Sequence, residues 1–334
     1  MSSDPGVAEA QKRAADVEMA AASPIDVGGS RIRFGTASWT DPTITAPGVF
    51  YPANARSPEA RLRFYASRFS VVEVDSTYYA IPARAMAEHW VERTPANFVF
   101  NVKAHALMTG QPTEVKRLPS ELLHALPAPL ASRARLYGHE LPPELYDAAW
   151  RMFMDAIAPL RAAGKFGSLL LQYPRWFLPG KENREAILDA HHRLGEVPCA
   201  VEFRNALWFN AGNSEKTLKF LADHRIPFVM VDEPQGMASS VPPVVAVTAS
   251  ELAVVRFHGR RSETWEAKNV TATERYRYLY DRGELAEWVE RIREAAERAR
   301  EVHVLMNNCY ANYGTTNARE MAALLQEMGQ AGKR

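Results

Sequence analysis

Two pairs of residues share one spacing. Glu202 and Arg204 stand two apart, and so do Arg256 and His258. Residues two apart in an extended strand project from the same face, so each pair presents its groups together. A carboxylate suits a general base or a metal ligand, a histidine moves protons near neutral pH, and an arginine can hold phosphate or carboxylate through paired bonds. Gly259, directly after His258, permits close approach of backbone to a ligand. Asp232 adds a second carboxylate. Lys103 is a cation better suited to compensating Glu73 or Glu202, or to holding an anion, than to Schiff-base chemistry. Gln172, Asn307 and Asn308 supply neutral hydrogen-bonding groups. Trp39, Tyr78, Tyr79, Trp176 and Trp208 supply ring faces for a sugar or base. The candidate catalytic residues are therefore Glu202, His258 and Asp232. The candidate substrate-binding residues are Lys103, Arg204, Arg256, Trp39, Tyr78, Gln172, Trp208, Asn307 and Asn308. Two carboxylates and a histidine also make a divalent metal a candidate cofactor.

These residues gain meaning from where they fall. Short β-branched or apolar runs occur at 31–37, 69–74, 98–102, 168–171, 199–203, 227–231, 253–257 and 302–306. Several are apolar almost throughout, as parallel strands buried on both faces are. Apolar residues at three- and four-residue spacing predict helices over 58–69, 145–163, 214–224, 285–300 and 317–330. Strands alternating with helices predict a parallel α/β fold, and eight strands close a barrel that side chains can fill. The expected architecture is a single (β/α)8 TIM barrel over 31–330, with long inserts at 104–144 after strand three and 232–250 after strand six. Every candidate above then lies at or just beyond a strand's C-terminal end, the face where barrel active sites form. A polar layer of mutual salt bridges plugging the barrel is the structural alternative for the same residues.

The strand-end motifs occur in a distinctive order. They are G-T-x-S-W at 35–39, F-Y-P at 50–52, V-E-V-D-S-T-Y-Y at 72–79, W-x-x-x-T-P at 90–95 and F-x-F-x-V-K at 98–103. L-L-L-Q-Y-P at 169–174, V-E-F-R-x-x-x-W at 201–208, R-F-H-G-R at 256–260 and N-N at 307–308 follow. In this order they resemble the YecE-like family, a domain of unknown function with a TIM-barrel fold, over about residues 31–328. The resemblance implies the fold and no particular reaction. The chain departs from the family's usual pattern at Asp41–Pro42–Thr43, at Asp75 and at Gly314–Thr315–Thr316.

Other features narrow the classes. The 334 residues carry 40 basic and 39 acidic side chains, a net charge of +1, without a basic or acidic tail. No Walker A pattern, G-x-G-x-x-G after the first strand, H-E-x-x-H or G-x-S-x-G is present, which argues against P-loop, Rossmann, zincin and α/β-hydrolase chemistry. Cys199 and Cys309 suit small core residues rather than a disulfide framework. Residues 1–30 lack an apolar signal-like run and suggest a disordered N-terminal extension with at most one weak helix. A cytoplasmic, membrane-free location is the expectation. The leading functional expectation is an enzyme acting on an anionic substrate, a phosphate-bearing sugar or nucleotide, by acid/base or metal-assisted chemistry. Hydrolysis, phosphoryl transfer and isomerisation are the open reaction classes. The alternatives are a non-catalytic metabolite-binding barrel and a barrel that binds a nucleic-acid fragment.

Overall fold

The computed structural model describes residues 4–331, with the backbone alone for 328–331. The eight expected strands all form: β1 (Ser30–Ala37), β2 (Val71–Val74), β3 (Val99–Lys103), β4 (Phe166–Gln172), β5 (Cys199–Glu202), β6 (Val229–Asp232), β7 (Leu252–Phe257) and β8 (Glu301–Met306). They pair in parallel and in sequence, and β8 returns to β1 with Val302 opposite Ile32. The last gap, between β5 and β6, is bridged by Val201 and Phe228, with Val201 N donating to Pro227 O at 2.8 Å. The result is a nearly closed TIM-type barrel. Its strands are buried on both faces, which explains their uniform apolarity.

Helices α1 (Pro5–Ala15), α2 (Pro58–Ala66), α3 (Arg84–Glu92), α4 (Pro143–Ala162), α5 (Lys181–Leu194), α6 (Ser214–Asp223), α7 (Val289–Ala296) and α8 (Tyr313–Ala331) are the longer ones. Ser57 starts α2 by accepting from Ala60 N, with Pro58 in the first turn, where its missing N–H costs nothing. The single helix expected over 285–300 is broken into Arg282–Ala286 and α7. The break turns the Trp288 indole inward, where Nε1 donates to Asp232 Oδ2 at 2.7 Å.

The N-terminal segment corrects the sequence reading. Residues 4–15 are not a mobile extension. Asp4 caps α1, and Val7, Ala10 and Ala14 are buried against α8. Arg13 pairs with Glu320 at 2.7 Å, and Thr316 Oγ1 donates to Ala10 O at 3.0 Å. Ile25–Val27 then adds an antiparallel strand to β1. Small alanines made the segment look poor in buriable surface, but their size is what lets α1 lie close on α8.

The inserts after β3 and β6 are present. The first carries its own small core around Leu107, Val115, Leu122 and Leu136 and a two-stranded hairpin, Thr113–Glu114 with Arg135–Leu136. A third long segment, residues 259–281 after β7, was not anticipated. It crosses the barrel mouth and contains only single-turn helices.

Candidate active site

Five side chains, acidic and basic in alternation, cross the mouth. Arg256 on β7 donates from Nη2 to Glu73 of β2 and from Nη1 to Glu202 of β5, each at 2.5 Å. Arg204, just past β5, pairs through Nε with Glu202 Oε1 at 2.6 Å and through Nη1 with Glu233 Oε2 at 3.1 Å. Glu73, Glu202, Glu233 and Arg256 are fully buried, while Arg204 keeps 12% of its side chain exposed. Gln172 Nε2 adds a bond to Glu202 Oε1 at 2.7 Å.

The five groups have different electrostatic fates. Burial would raise Glu202, but Arg204 and Arg256 on either side hold it well below the carboxylate range. Glu73 is pushed up by burial, which its one contacting arginine does not offset. Glu233 is pushed up to about 8 by burial, against the pull of Arg204. Both arginines stay charged, because the carboxylates outweigh the burial that works against them.

His258 closes the set. Burial, with the nearby Arg204 charge, lowers it to about 3, so the ring is neutral at physiological pH. Its Nδ1 accepts from Asn307 Nδ2 at 2.9 Å, which leaves Nε2 to face Glu202 Oε1 at 3.3 Å. Asn307 also lies 3.4 Å from Arg256. As it stands the pair is a neutral imidazole beside a weakly basic carboxylate, and Arg204 depresses both, so an anion that neutralised Arg204 would raise the proton affinity of both.

Lys103 pairs with Asp75 at 3.0 Å and lies 4.7 Å from the Tyr78 ring centre. Burial would lower its pKa, but Asp75 and Glu73 outweigh this and raise it, so it is an ammonium and not a Schiff-base nucleophile. Tyr78 donates to Gln111 Oε1 at 2.8 Å.

Above this floor lies a cleft of about 530 Å³, lined by Gln111, Gln172, Arg175, Trp176, Arg204, Trp265, Lys268, Arg275 and Tyr276 among others. The segment after β7 forms one wall. Its Trp265 ring centre is 5.2 Å from the Arg204 guanidinium, and Tyr276 lies 5.9 Å from His258. Arg275 braces the segment by donating to the carbonyls of Trp265 at 2.6 Å and Ala267 at 3.0 Å. Gly259 starts the segment at φ 84°, where a side chain would also meet Tyr278 at 2.6 Å. Trp176 leaves 54% of its surface in the open, and the side chains of Arg175 and Lys268 make no hydrogen bond among the described residues, though the Arg175 carbonyl accepts from Asn205 Nδ2 at 2.6 Å.

The mouth thus gathers Glu202, His258, Arg204, Arg256, Gln172, Asn307 and, at its edge, Lys103 and Tyr78. Four candidates lie elsewhere. Asp232 faces outward, and its oxygens accept from Tyr280 at 2.6 Å, Trp288 at 2.7 Å and Arg260 at 2.8 Å. It ties the barrel to its helices. Trp208 is fully buried, stacked on Phe203 at 4.4 Å, with Nε1 donating to Phe177 O. Trp39 packs edge-on against Trp90 at 6.0 Å. Asn308 donates to Tyr278 O and Asn317 Oδ1, each at 2.8 Å, anchoring backbone rather than ligand. With Asp232 turned away, two carboxylates and a histidine do not converge, and no group of three or more His, Cys, Asp or Glu among the described residues is placed to hold a metal.

Glu233, Gln111, Arg175, Lys268, Trp265 and Tyr276 were missed. Strand alternation was the available signal for Glu233: if Asp232 points out, its neighbour points in. The 26 residues between His258 and the helical pattern starting at Leu285 were the signal for the wall segment.

The fold and mouth place the chain among (β/α)8 barrels with a charged, strand-end site. Residues 33–334 match the family described as "Protein of unknown function DUF72", and the chain belongs to that family. It is similar to the UPF0759 protein YunF of Bacillus subtilis (strain 168), at 33% identity over 299 residues, 88% of this chain and 94% of the relative. UPF0759 protein YecE of Escherichia coli (strain K12) is 29% identical over 157 residues, 45% of this chain and 55% of that one. Among solved structures, a DUF72 family protein from Enterococcus faecalis V583 gives a TM-score of 0.70 at 26% identity, covering 88% of this chain and 95% of the other. Another from Thermotoga maritima MSB8 gives 0.67 at 28% identity, covering 90% and 99%. None of these names states a substrate. No helix among the described residues is long and apolar enough to cross a membrane.

Proposed function

We propose that the protein is an enzyme whose substrate is an anionic, ring-bearing small molecule, of the class of phosphate-bearing sugars and nucleotides, and that His258 and Glu202 carry the proton transfer. One observation carries this reading. Arg204 is shared between the cleft it lines and the Glu202–His258 pair beneath it, so an anion bound to Arg204 lies next to the acid/base groups. Arg175 and Lys268 extend the positive charge along the cleft, and Trp176, Trp265 and Tyr276 supply ring faces. Glu202 and His258 lie behind Trp265 and Tyr276, so the reading requires the wall segment to shift when substrate arrives.

The test has two arms. Calorimetry compares inorganic phosphate, a pentose phosphate and a nucleoside monophosphate with the unphosphorylated pentose and nucleoside. Saturable binding of the phosphorylated members, weakened by Arg204→Gln, is expected. Incubation with a metabolite pool, read by mass spectrometry, should then show turnover that Glu202→Gln abolishes while binding persists. Equal affinity for charged and uncharged members would sink the anion reading.

The full engagement of Glu202 favours a second reading, a non-catalytic metabolite-binding barrel. Saturable binding without turnover of any pool member would select it.

A further inference from the structure

A second cavity adjoins the cleft. It measures about 510 Å³ and lies between the turn after β2 and the hairpin of the first insert, lined by Tyr78, Tyr79, Thr113, Glu114, Arg117 and Arg135 among others. One hydrogen bond joins the linings of the two cavities. Tyr78, which lines this cavity, donates to Gln111, which lines the cleft. Gln111 is held in turn by its donation to the Gln172 carbonyl at 3.0 Å.

The local charge is unbalanced. Glu114 is the carboxylate here, and it faces Arg117 at 2.9 Å, Lys116 at 3.5 Å and Arg135 at 3.9 Å. One negative charge among three positive ones leaves donors to spare, and Arg135 is the loosest of the three. Tyr79 is 47% exposed, with the Arg117 guanidinium 5.9 Å from its ring centre. That pairing offers a flat cationic face. Thr113 is 4% exposed, and its hydroxyl has no partner among the described residues, in a wall where a buried donor is expected to have one.

We infer that this cavity is a second anion subsite for the molecule bound in the cleft, so that the substrate class is a small molecule anionic at two ends. The inference rests on the proposed function and narrows it. One anionic end lies at Arg204, Arg175 and Lys268, the other at Arg117 and Arg135, and the connecting part passes over Gln111 and Tyr78. The insert after β3 has a role on this account: its hairpin builds the outer wall of the second subsite.

The experiment uses α,ω-alkanediol bisphosphates of graded chain length, each beside the monophosphate of the same diol, with calorimetry at fixed ionic strength. At the length that spans both cavities, the bisphosphate is expected to bind about tenfold or more tighter than its monophosphate, as tethering a second group does when the geometry fits. The double variant Arg117→Gln, Arg135→Gln should remove that advantage, and Lys219→Gln, an exposed change on α6, should not. Equal affinity of bisphosphate and monophosphate at every length overturns the inference. So does an advantage that survives the double variant or falls equally in the Lys219 control. If monophosphates bind in an Arg204-dependent way without any gain from the second phosphate, only this inference fails. If no phosphate binds, the proposed function fails with it.

Discussion

At the N-terminal end of the barrel, Arg33 donates to Asn97 O at 2.8 Å and pairs with Glu301 at 3.2 Å, while His303 lies between Asn101 at 3.0 Å and Glu301 at 3.1 Å. At the mouth, five ionisable side chains and a histidine stand in one contiguous row. The N-terminal end closes with two buried cations, Arg33 and Lys165, and one carboxylate, Glu301, which keeps 28% of its side chain exposed. Closing the barrel at this end takes two buried cations, satisfied largely by backbone carbonyls, and one carboxylate with access to water. The mouth buries far more, at a desolvation cost that mutual pairing offsets only partly. The base shows what a seal requires, and the excess at the mouth is the argument that the mouth is more than a seal.

Substitution at Arg256 should separate the ends most sharply. Arg256→Gln leaves Glu73 and Glu202 facing each other without the cation between them, and unfolding in urea should show a loss of about 3–5 kcal/mol. Arg204→Gln should cost less, about 1–3 kcal/mol, because Glu202 keeps Arg256 and Gln172 and Glu233 can hold a proton. Equal losses would mean that Arg204 is as purely structural as Arg256. At the base, Arg33→Gln should also cost about 1–3 kcal/mol, since Glu301 keeps its bond from His303 and its access to water. A loss at Arg33 matching that at Arg256 would erase the contrast between the two ends.

The N-terminal segment touches both ends, so graded truncation tests them in turn. Removing residues 1–16 takes away α1 and its burial of Val7, Ala10 and Ala14. A fall in melting temperature of about 4 °C, on the order of 1–2 kcal/mol, is expected. Removing residues 1–29 also removes the strand on β1 and should lower it further. A truncated protein that melts with the full chain would show that this packing contributes nothing to stability.

The two ends should also answer to pH in different windows. Glu301 is opposed by burial but held down, to about 2, by His303 and Arg33. Its stabilising contribution is present above the ordinary value of 4.5 and is lost as pH falls toward 2. Glu233 is raised to about 8, so its contribution is present below 4.5 and is lost as pH rises toward 8. Glu233→Gln should therefore flatten the decline of stability between those values, and Glu301→Gln should flatten the acid limb instead. Unfolding free energy measured across pH reads both. A Glu233→Gln curve parallel to the parent's would show that this carboxyl does not hold its proton.

The fold was legible because the barrel strands are apolar almost throughout and recur between amphipathic helices. Glu202, Arg204, Arg256 and His258 were legible from spacing alone, since period two fixes their common face. Asp232 and Glu233 show where that logic thins out. At a strand's last residue either neighbour can be the inward one, and the outcome depends on Trp288 and Tyr280, which belong to distant segments. Trp208 and Trp39 sit beyond strand ends like ligand-stacking residues, but neighbouring aromatic side chains enclose them. The wall segment had neither apolar period nor strand composition, because Arg275 and Asn308 hold it through bonds to backbone carbonyls, which leave no periodic trace.

The path of α1 has a practical side. It begins at Asp4, whose carboxylate meets Arg277 at 2.8 Å and the Tyr310 hydroxyl at 2.9 Å, beside the wall segment of the mouth. It then runs along α8 away from the mouth. A purification tag or fluorophore joined ahead of Asp4 therefore starts from the wall segment's side, at Arg277 and Tyr310. A tag long enough to reach the cleft would crowd ligands in a screen, and a small, environment-sensitive fluorophore that reaches it would signal their arrival without any substitution in the site.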